Sequence, residues 1–167
     1  MSQGTSIPTD TANTPTGDTP GQGQFVGDYL LYLLAAVSDV ASAQFHAHVR
    51  KAGLRVPEWR VLACLVDEEG AMVTRLARLS LLEQSRLTKI IDQMAERGLV
   101  RRNPDPDDAR RVRVFLTGDG RALAQRLVSD ARDHEAQILS KLELADADAI
   151  KPTLRALLAR MDDSEDR

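Results

Sequence analysis

The hydrophobic period of this chain changes abruptly at Gly98. Before it, Leu87, Ile90, Ile91 and Met94 recur at three and four residues, the stripe of an amphipathic helix. After it, Arg111-Val112-Arg113-Val114-Phe115-Leu116 alternates with period two, which predicts a half-buried strand. Leu99-Val100-Arg101-Arg102 precedes it as a second strand, and the stretch Asn103 to Ala109 between them holds two Pro and three Asp, a turn composition. A helix running straight into one short hairpin leaves only two strands to build a sheet. Aromatics at 4% and scarce β-branched runs argue against a β-sandwich or barrel.

The rest of the chain reads as helix. From Phe25 to about Lys51, Tyr29, Leu33, Ala36, Val37, Val40, Ala41, Gln44, Phe45 and His48 recur at helical spacing, with Gly53 as a stop. Such a helix would span roughly 40 Å and is too exposed to stand alone, so it needs a partner. Pro57 opens a short helix bearing Trp59, Leu62, Ala63, Leu65 and Val66. Leu76, Ala77 and Leu79 mark a second, and Leu81-Leu82-Glu83 a tight turn before the striped helix. Helix returns at Thr117 through Leu123, Leu127, Ala131, Ile138 and Leu142, and Pro152 is expected near the start of a last helix with Leu154, Leu157, Leu158 and Met161. Two short helices, a tight turn, a third helix and a hairpin make a winged helix-turn-helix in a mainly α chain with a small β-wing. Residues 1–23 hold six Thr, three Pro and four Gly without Lys or Arg, and are expected to form a disordered tail.

Charge is distributed unevenly. The net charge is −3, yet Met72 to Arg113 carries ten Lys and Arg against six Asp and Glu, and the remainder twelve against nineteen. A basic block in an acidic chain suggests one anion-facing surface. In QSRLTKIIDQMAERG, the apolar stripe leaves Gln84, Ser85, Thr88 and Lys89 on the opposite face, where short polar side chains can reach base edges in a major groove. Arg86 and the helix N-terminus are placed to meet phosphate. Near the hairpin tip, Arg110, Arg111 and Arg113 suit a narrow minor groove, and Asp108 is expected to hold the Arg110 guanidinium by a bidentate hydrogen bond.

These segments resemble the multiple-antibiotic-resistance regulator (MarR) family. The carrying stretches are VPEWRVLACL, TRLARLSLLEQSRLTKIIDQMAERGLVRR and DARRVRVFLTGDGRAL. The wing signature falls on Asp108, Arg110, Leu116, Thr117 and Gly120. One departure is Met72, where the family commonly has Ser or Thr capping a helix, a change worth about 1 kcal/mol of local stability. The resemblance implies a homodimer that binds double-stranded, pseudopalindromic operators, usually as a repressor. Residues 24–167 would then form the family domain, with dimerisation helices in 24–55 and 118–163 around a winged helix-turn-helix in 56–117.

The resemblance also implies release from DNA by a small aromatic carboxylate. The crevice for it would involve His46, His48, Trp59 and Arg60, and the VPEWRVL stretch behind a His-x-His helix is most like a subgroup sensing hydroxylated pyridine carboxylates. Trp59 is either a stacking surface or a core residue bridging two helices, and His48 either a ligand contact or a satisfied buried histidine. A metal site is not expected: His46 and His48 point about 200° apart on a helix, and His134 is far along the chain. Cys64, flanked by apolar residues, reads as structural rather than redox-active, and no cofactor is expected. The phosphate-loop, dinucleotide and nucleophile-elbow motifs are all absent, which argues against an enzyme. With no signal-like segment and no run of about 18 apolar residues, a soluble cytoplasmic protein without a membrane partner is expected. The rival readings are a constitutive DNA binder without ligand and a winged helix that docks protein.

Overall fold

The computed structural model describes residues 25–108 and 110–165, so the tail of residues 1–23 lies outside the described residues. The elements run α1 (Phe25–Asp28), α2 (Leu30–Lys51), α3 (Val56–Asp67), α4 (Val73–Ser80), α5 (Gln84–Glu96), β1 (Val100–Pro104), β2 (Val112–Leu116), α6 (Gly118–Leu139) and α7 (Leu144–Glu165). The fold is mainly α with a small β-wing, a winged helix-turn-helix as the change of period at Gly98 implies. The chain divides into two compact units at Ser38 and Asp39.

The expected first helix is interrupted at Tyr29, leaving a single turn and then 22 residues of α2. By length and composition alone α2 is long and apolar enough to cross a membrane, although Ser38, Asp39, Ser42 and Gln44 interrupt it and no unbroken run of about 18 apolar residues is present. Phe45 and Val49 near its end are nevertheless core residues. Pro152 also departs from expectation. It lies well inside α7 rather than near its start, and it removes one backbone donor from the helix interior.

The core gathers Leu62 and Leu65 of α3, Leu76 of α4, Leu87, Ile91 and Met94 of α5, Val114 of β2 and Leu127 of α6, all fully buried. Each such side chain contributes about 1.5–3 kcal/mol through burial. At the start of α3, the Glu58 carboxylate takes the Arg55 backbone N–H at 2.7 Å, supplying an acceptor for an otherwise open helix end. Burial alone pushes the Glu58 carboxyl up. Hydrogen bonds from the Arg55 side chain and backbone, with the charges of Arg55 and Arg97, outweigh it and hold the group below its ordinary value.

The hairpin pairs β1 and β2 antiparallel in the register Val100↔Leu116 to Pro104↔Val112. Its other edge is covered too. Gly70 donates to the Val114 carbonyl, Val114 donates to that of Ala71, and Met72 bridges Arg113. Met72 is the N-cap of α4 and offers no side-chain cap, in line with the departure noted in the sequence. Thr117 caps α6 by accepting from Gly120, whose missing Cβ leaves room for the Leu99 carbonyl.

The turn between α4 and α5 holds Leu81 at φ 56, a left-handed conformation that L-residues adopt at a cost. Its N–H closes the end of α4 while its side chain is 81% exposed. Leu81→Gly should therefore raise stability by about 0.5–1 kcal/mol after glycine's own entropy cost, read as a melting temperature a few degrees higher. An unchanged or lower melting temperature would mean that the leucine side chain offsets its backbone strain.

Candidate nucleic-acid interface

Burial of Leu87, Ile90, Ile91 and Met94 leaves Gln84, Ser85, Arg86 and Lys89 exposed and Thr88 half-buried at the start of α5. The first turn is closed by the last residue of the preceding tight turn. Glu83 is the N-cap, accepting from the Arg86 N–H at 3.1 Å and from the Ser85 hydroxyl. Those bonds, the Ser85 side chain first, hold the Glu83 carboxyl below its ordinary value. A carboxylate thus occupies the helix N-terminus, and the expected phosphate seat there is already taken. Thr88 Oγ1 donates to the Gln84 carbonyl, so its hydroxyl is held close to the helix.

The wing is built on Asp105, which is buried at the end of β1. Its Oδ1 accepts from the backbone N–H groups of Asp107 and Asp108 at 2.9 and 3.2 Å, and its Oδ2 from Arg113 Nε at 2.5 Å. The Asp107 N–H, with Arg113 and against the opposing push of burial, holds the Asp105 carboxyl below its usual range. Arg113 also donates to the Gly70 carbonyl, so this arginine braces the wing and does not join the outward set. The expected Asp108–Arg110 guanidinium pair is not formed. Asp108 accepts the Arg110 backbone N–H at 3.0 Å and pairs with Arg111 Nε at 3.3 Å. With that carboxylate engaged by the loop, the Arg110 guanidinium has no partner among the described residues. Arg102 is tied to Asp92 of α5, fixing β1 against the helix.

Between the start of α4, the start of α5 and the wing lies an open cleft of about 520 Å³. Gln84, Thr88, Arg102, Arg110 and Arg111 line it, and none of its lining residues is acidic. The structure thus brings two of the four predicted base-facing residues and two of the predicted wing residues to one opening. Ser85, Lys89 and Arg86 are exposed beside it on α5, outside its lining.

The other predicted cluster lies where α2, α3 and α6 meet. Trp59 is half-buried and packs edge-on against Phe45 at 5.3 Å, so it does bridge two helices while keeping one part open. His48 is exposed and its Nε2 lies 2.7 Å from Asp130 Oδ2, so the buried-histidine alternative does not hold. His134, distant in sequence, stands beside Phe45 at 5.6 Å. Neither Asp130 nor His134 had a sequence signal, because both meet the cluster only through the packing of α6. His46 is held below its ordinary value by burial first, then by the charges of Arg60 and Arg50. No group of three metal-ligating side chains occurs among the described residues. Cys64 is half-buried, and burial followed by the charge of Asp67 pushes its thiol up.

A solved MarR family transcriptional regulator from Silicibacter pomeroyi is 62% identical to this chain. The match covers 83% of this chain and 99% of that one, with a TM-score of 0.74. The chain belongs to the MarR family. The family's own sequence model matches residues 54–112, from the end of the α2–α3 corner into β2. The HTH-type transcriptional repressor IacR of Pseudomonas putida is 30% identical over 106 residues, 64% of each protein, so the match spans just under two thirds of that repressor. Bordetella bronchiseptica BpsR, solved in work on regulation of its DNA binding by 6-hydroxynicotinic acid, is 26% identical. It matches 78% of this chain and 94% of its own, with a TM-score of 0.70.

In this MarR-family chain the wing should depend on Asp105. Asp105→Ala should speed amide exchange across residues 105–111 by at least about tenfold while the helices keep their protection. In the unsubstituted chain the same loosening should appear only on acidification. A depressed carboxyl contributes its stability above the ordinary value of 3.8 and loses it as pH falls through the lower folded value. Wing amide resonances that stay fixed through that range would contradict this role.

Proposed function

We propose that the chain is a homodimeric transcriptional repressor that binds a pseudopalindromic operator and is released by a small aromatic carboxylate. The carrying observation is the cleft between α5 and the wing, lined by three arginines and no acid. In this reading Gln84, Ser85, Thr88 and Lys89 read base edges, Arg86 meets phosphate, and Arg110 and Arg111 enter the flanking minor groove with Asp108 shaping the loop beneath them.

The dimer is supported by apolar side chains left open on the terminal helices. Leu30, Leu31, Val37 and Val40 of α2 and Leu158 and Met161 of α7 are all more than half exposed. Residues 24–55 and 118–163 are accordingly assigned to dimerisation and 56–117 to DNA. Two recognition helices related by a two-fold axis would meet half-sites about 10 bp apart.

For the effector, the charges of Arg60 and Arg50 both act on His46, and neither guanidinium has a partner among the described residues. Trp59 and Phe45 supply aromatic surface nearby on the same two helices. A carboxylate would meet the cations and its ring the aromatics. Regulation of BpsR DNA binding by 6-hydroxynicotinic acid favours a hydroxylated pyridine carboxylate.

Binding to duplexes selected from random DNA tests the operator reading. Arg110→Ala should weaken binding to every sequence and flatten the salt dependence by about one counterion, whereas Lys89→Ala should relax preference at one position by about 1–3 kcal/mol. Equal, weak binding of selected and scrambled duplexes would favour protein docking instead. Arg60→Ala should keep operator binding and reduce release by hydroxylated pyridine carboxylates at least about tenfold; full release would move the effector elsewhere.

A further inference from the structure

Away from the wing, one buried charged side chain stands out among the described residues. Glu58 of α3 is 1% exposed. A buried ion pair is a poor source of stability, because desolvation offsets most of the attraction, so its geometry is the more informative property. Both carboxylate oxygens are used. Oε2 takes the Arg55 N–H at 2.7 Å, and Oε1 accepts from Arg55 Nη2 at 2.9 Å and from Arg97 Nη1 at 3.0 Å.

The second arginine is the C-cap of α5. Its other nitrogen, Nη2, donates to the Gly53 carbonyl at 2.7 Å, where the chain leaves α2. Arg55 Nη2 reaches α5 as well, donating to Gln93 Oε1 at 2.5 Å. The last turn of α5 is therefore tied at two positions to the corner between α2 and α3. The four apolar residues of α5 seat its inner face against the core, and the polar ties add a directional constraint that apolar contact does not supply. The polar tie holds one end, and α5 is about 20 Å long. A tilt of about 5° about that end would move Gln84 by nearly 2 Å. That is enough to lose base-edge hydrogen bonds, whose donor–acceptor distances span only about 2.7–3.2 Å.

We propose that Glu58, with Arg97 and Arg55, is a positioning bolt that fixes the tilt of α5 against the α2–α3 corner and so controls operator discrimination. Because Gly53 follows the helix carrying His46, His48 and Arg50, a shift at the end of α2 reaches α5 through the same bolt. The inference rests on the DNA-binding reading above. It concerns how sequence is told apart, and not attraction to a polyanion: Glu58, Gln93 and Arg97 lie outside the arginine-lined cleft.

The test uses the full chain and two duplexes, one selected from random DNA by the unsubstituted protein and one scrambled. Arg97→Lys keeps a cation beside Glu58 but loses the fork to Gly53, and Gln93→Ala removes the second tie. Glu58→Gln keeps shape and loses charge. Folding of each is checked by circular dichroism, so the first two decide the matter if the third is unfolded. The expected result is a loss of about tenfold on the selected duplex for Arg97→Lys, a smaller loss for Gln93→Ala, and binding of the scrambled duplex within about twofold with an unchanged salt slope. Equal losses on both duplexes, or none on either in folded variants, would overturn the bolt. Failure of the unsubstituted protein to separate the two duplexes would overturn the DNA-binding reading itself, and needs no variant to be seen.

Discussion

The apolar seam of α5 is the constraint on which the rest depends. Leu87, Ile90, Ile91 and Met94 are buried against α3, α4 and β1, and no rotation of the helix keeps them there while turning Gln84 or Lys89 inward. The polar face is presented outward because the opposite face has only one place to go. The wing follows from the same seam. Gly98 ends the helix with φ +70, Leu99 donates back to the Met94 carbonyl, and β1 starts at once. Arg102 then reaches Asp92 on α5, so helix and wing are set as one surface.

Charge on that surface is sorted by burial. Asp105, Asp107 and Asp108 lie next to the arginines in sequence and would be expected to neutralise them. Asp105 instead turns inward, where loop N–H groups and Arg113 consume its lone pairs, and Asp108 is spent on the Arg110 backbone and on Arg111. The cleft lining holds three arginines and no acid, but Arg102 and Arg111 are paired from outside it with Asp92 and Asp108, so Arg110 is the lining arginine whose guanidinium these acids leave open. Glu83 acts in the opposite sense, since it places a carboxylate on the first turn of α5, beside a cleft whose own lining has none.

Much of the fold was legible in the chain because it is written locally. The stripe of α5, the alternation of β2, Pro57 at the start of α3 and the glycines after α2, α3 and α5 each act over a few residues. Three positions depart from what their immediate neighbours imply. Pro152 was expected to start a helix because proline favours first turns, yet helix continues on both sides of it. Arg113 reads as an outward strand residue until Asp105 and the Gly70 carbonyl are seen beside it. Glu83 looks like part of a turn until its oxygen is found on the Arg86 N–H.

Element types, the helix–turn–helix order, the hairpin and the family likeness are written locally, since periodicity and short motifs depend only on neighbours along the chain. Tertiary structure alone decided which charges pair. Glu58 meets Arg97 across 39 positions, His48 meets Asp130 across 82, and Phe45 gathers Trp59 and His134 from two other helices. Such pairings have no local signature, because an ion pair or ring contact is set by where packed helices bring side chains together. The apolar burial that fixes those helices is the same for many arrangements of the polar residues they carry.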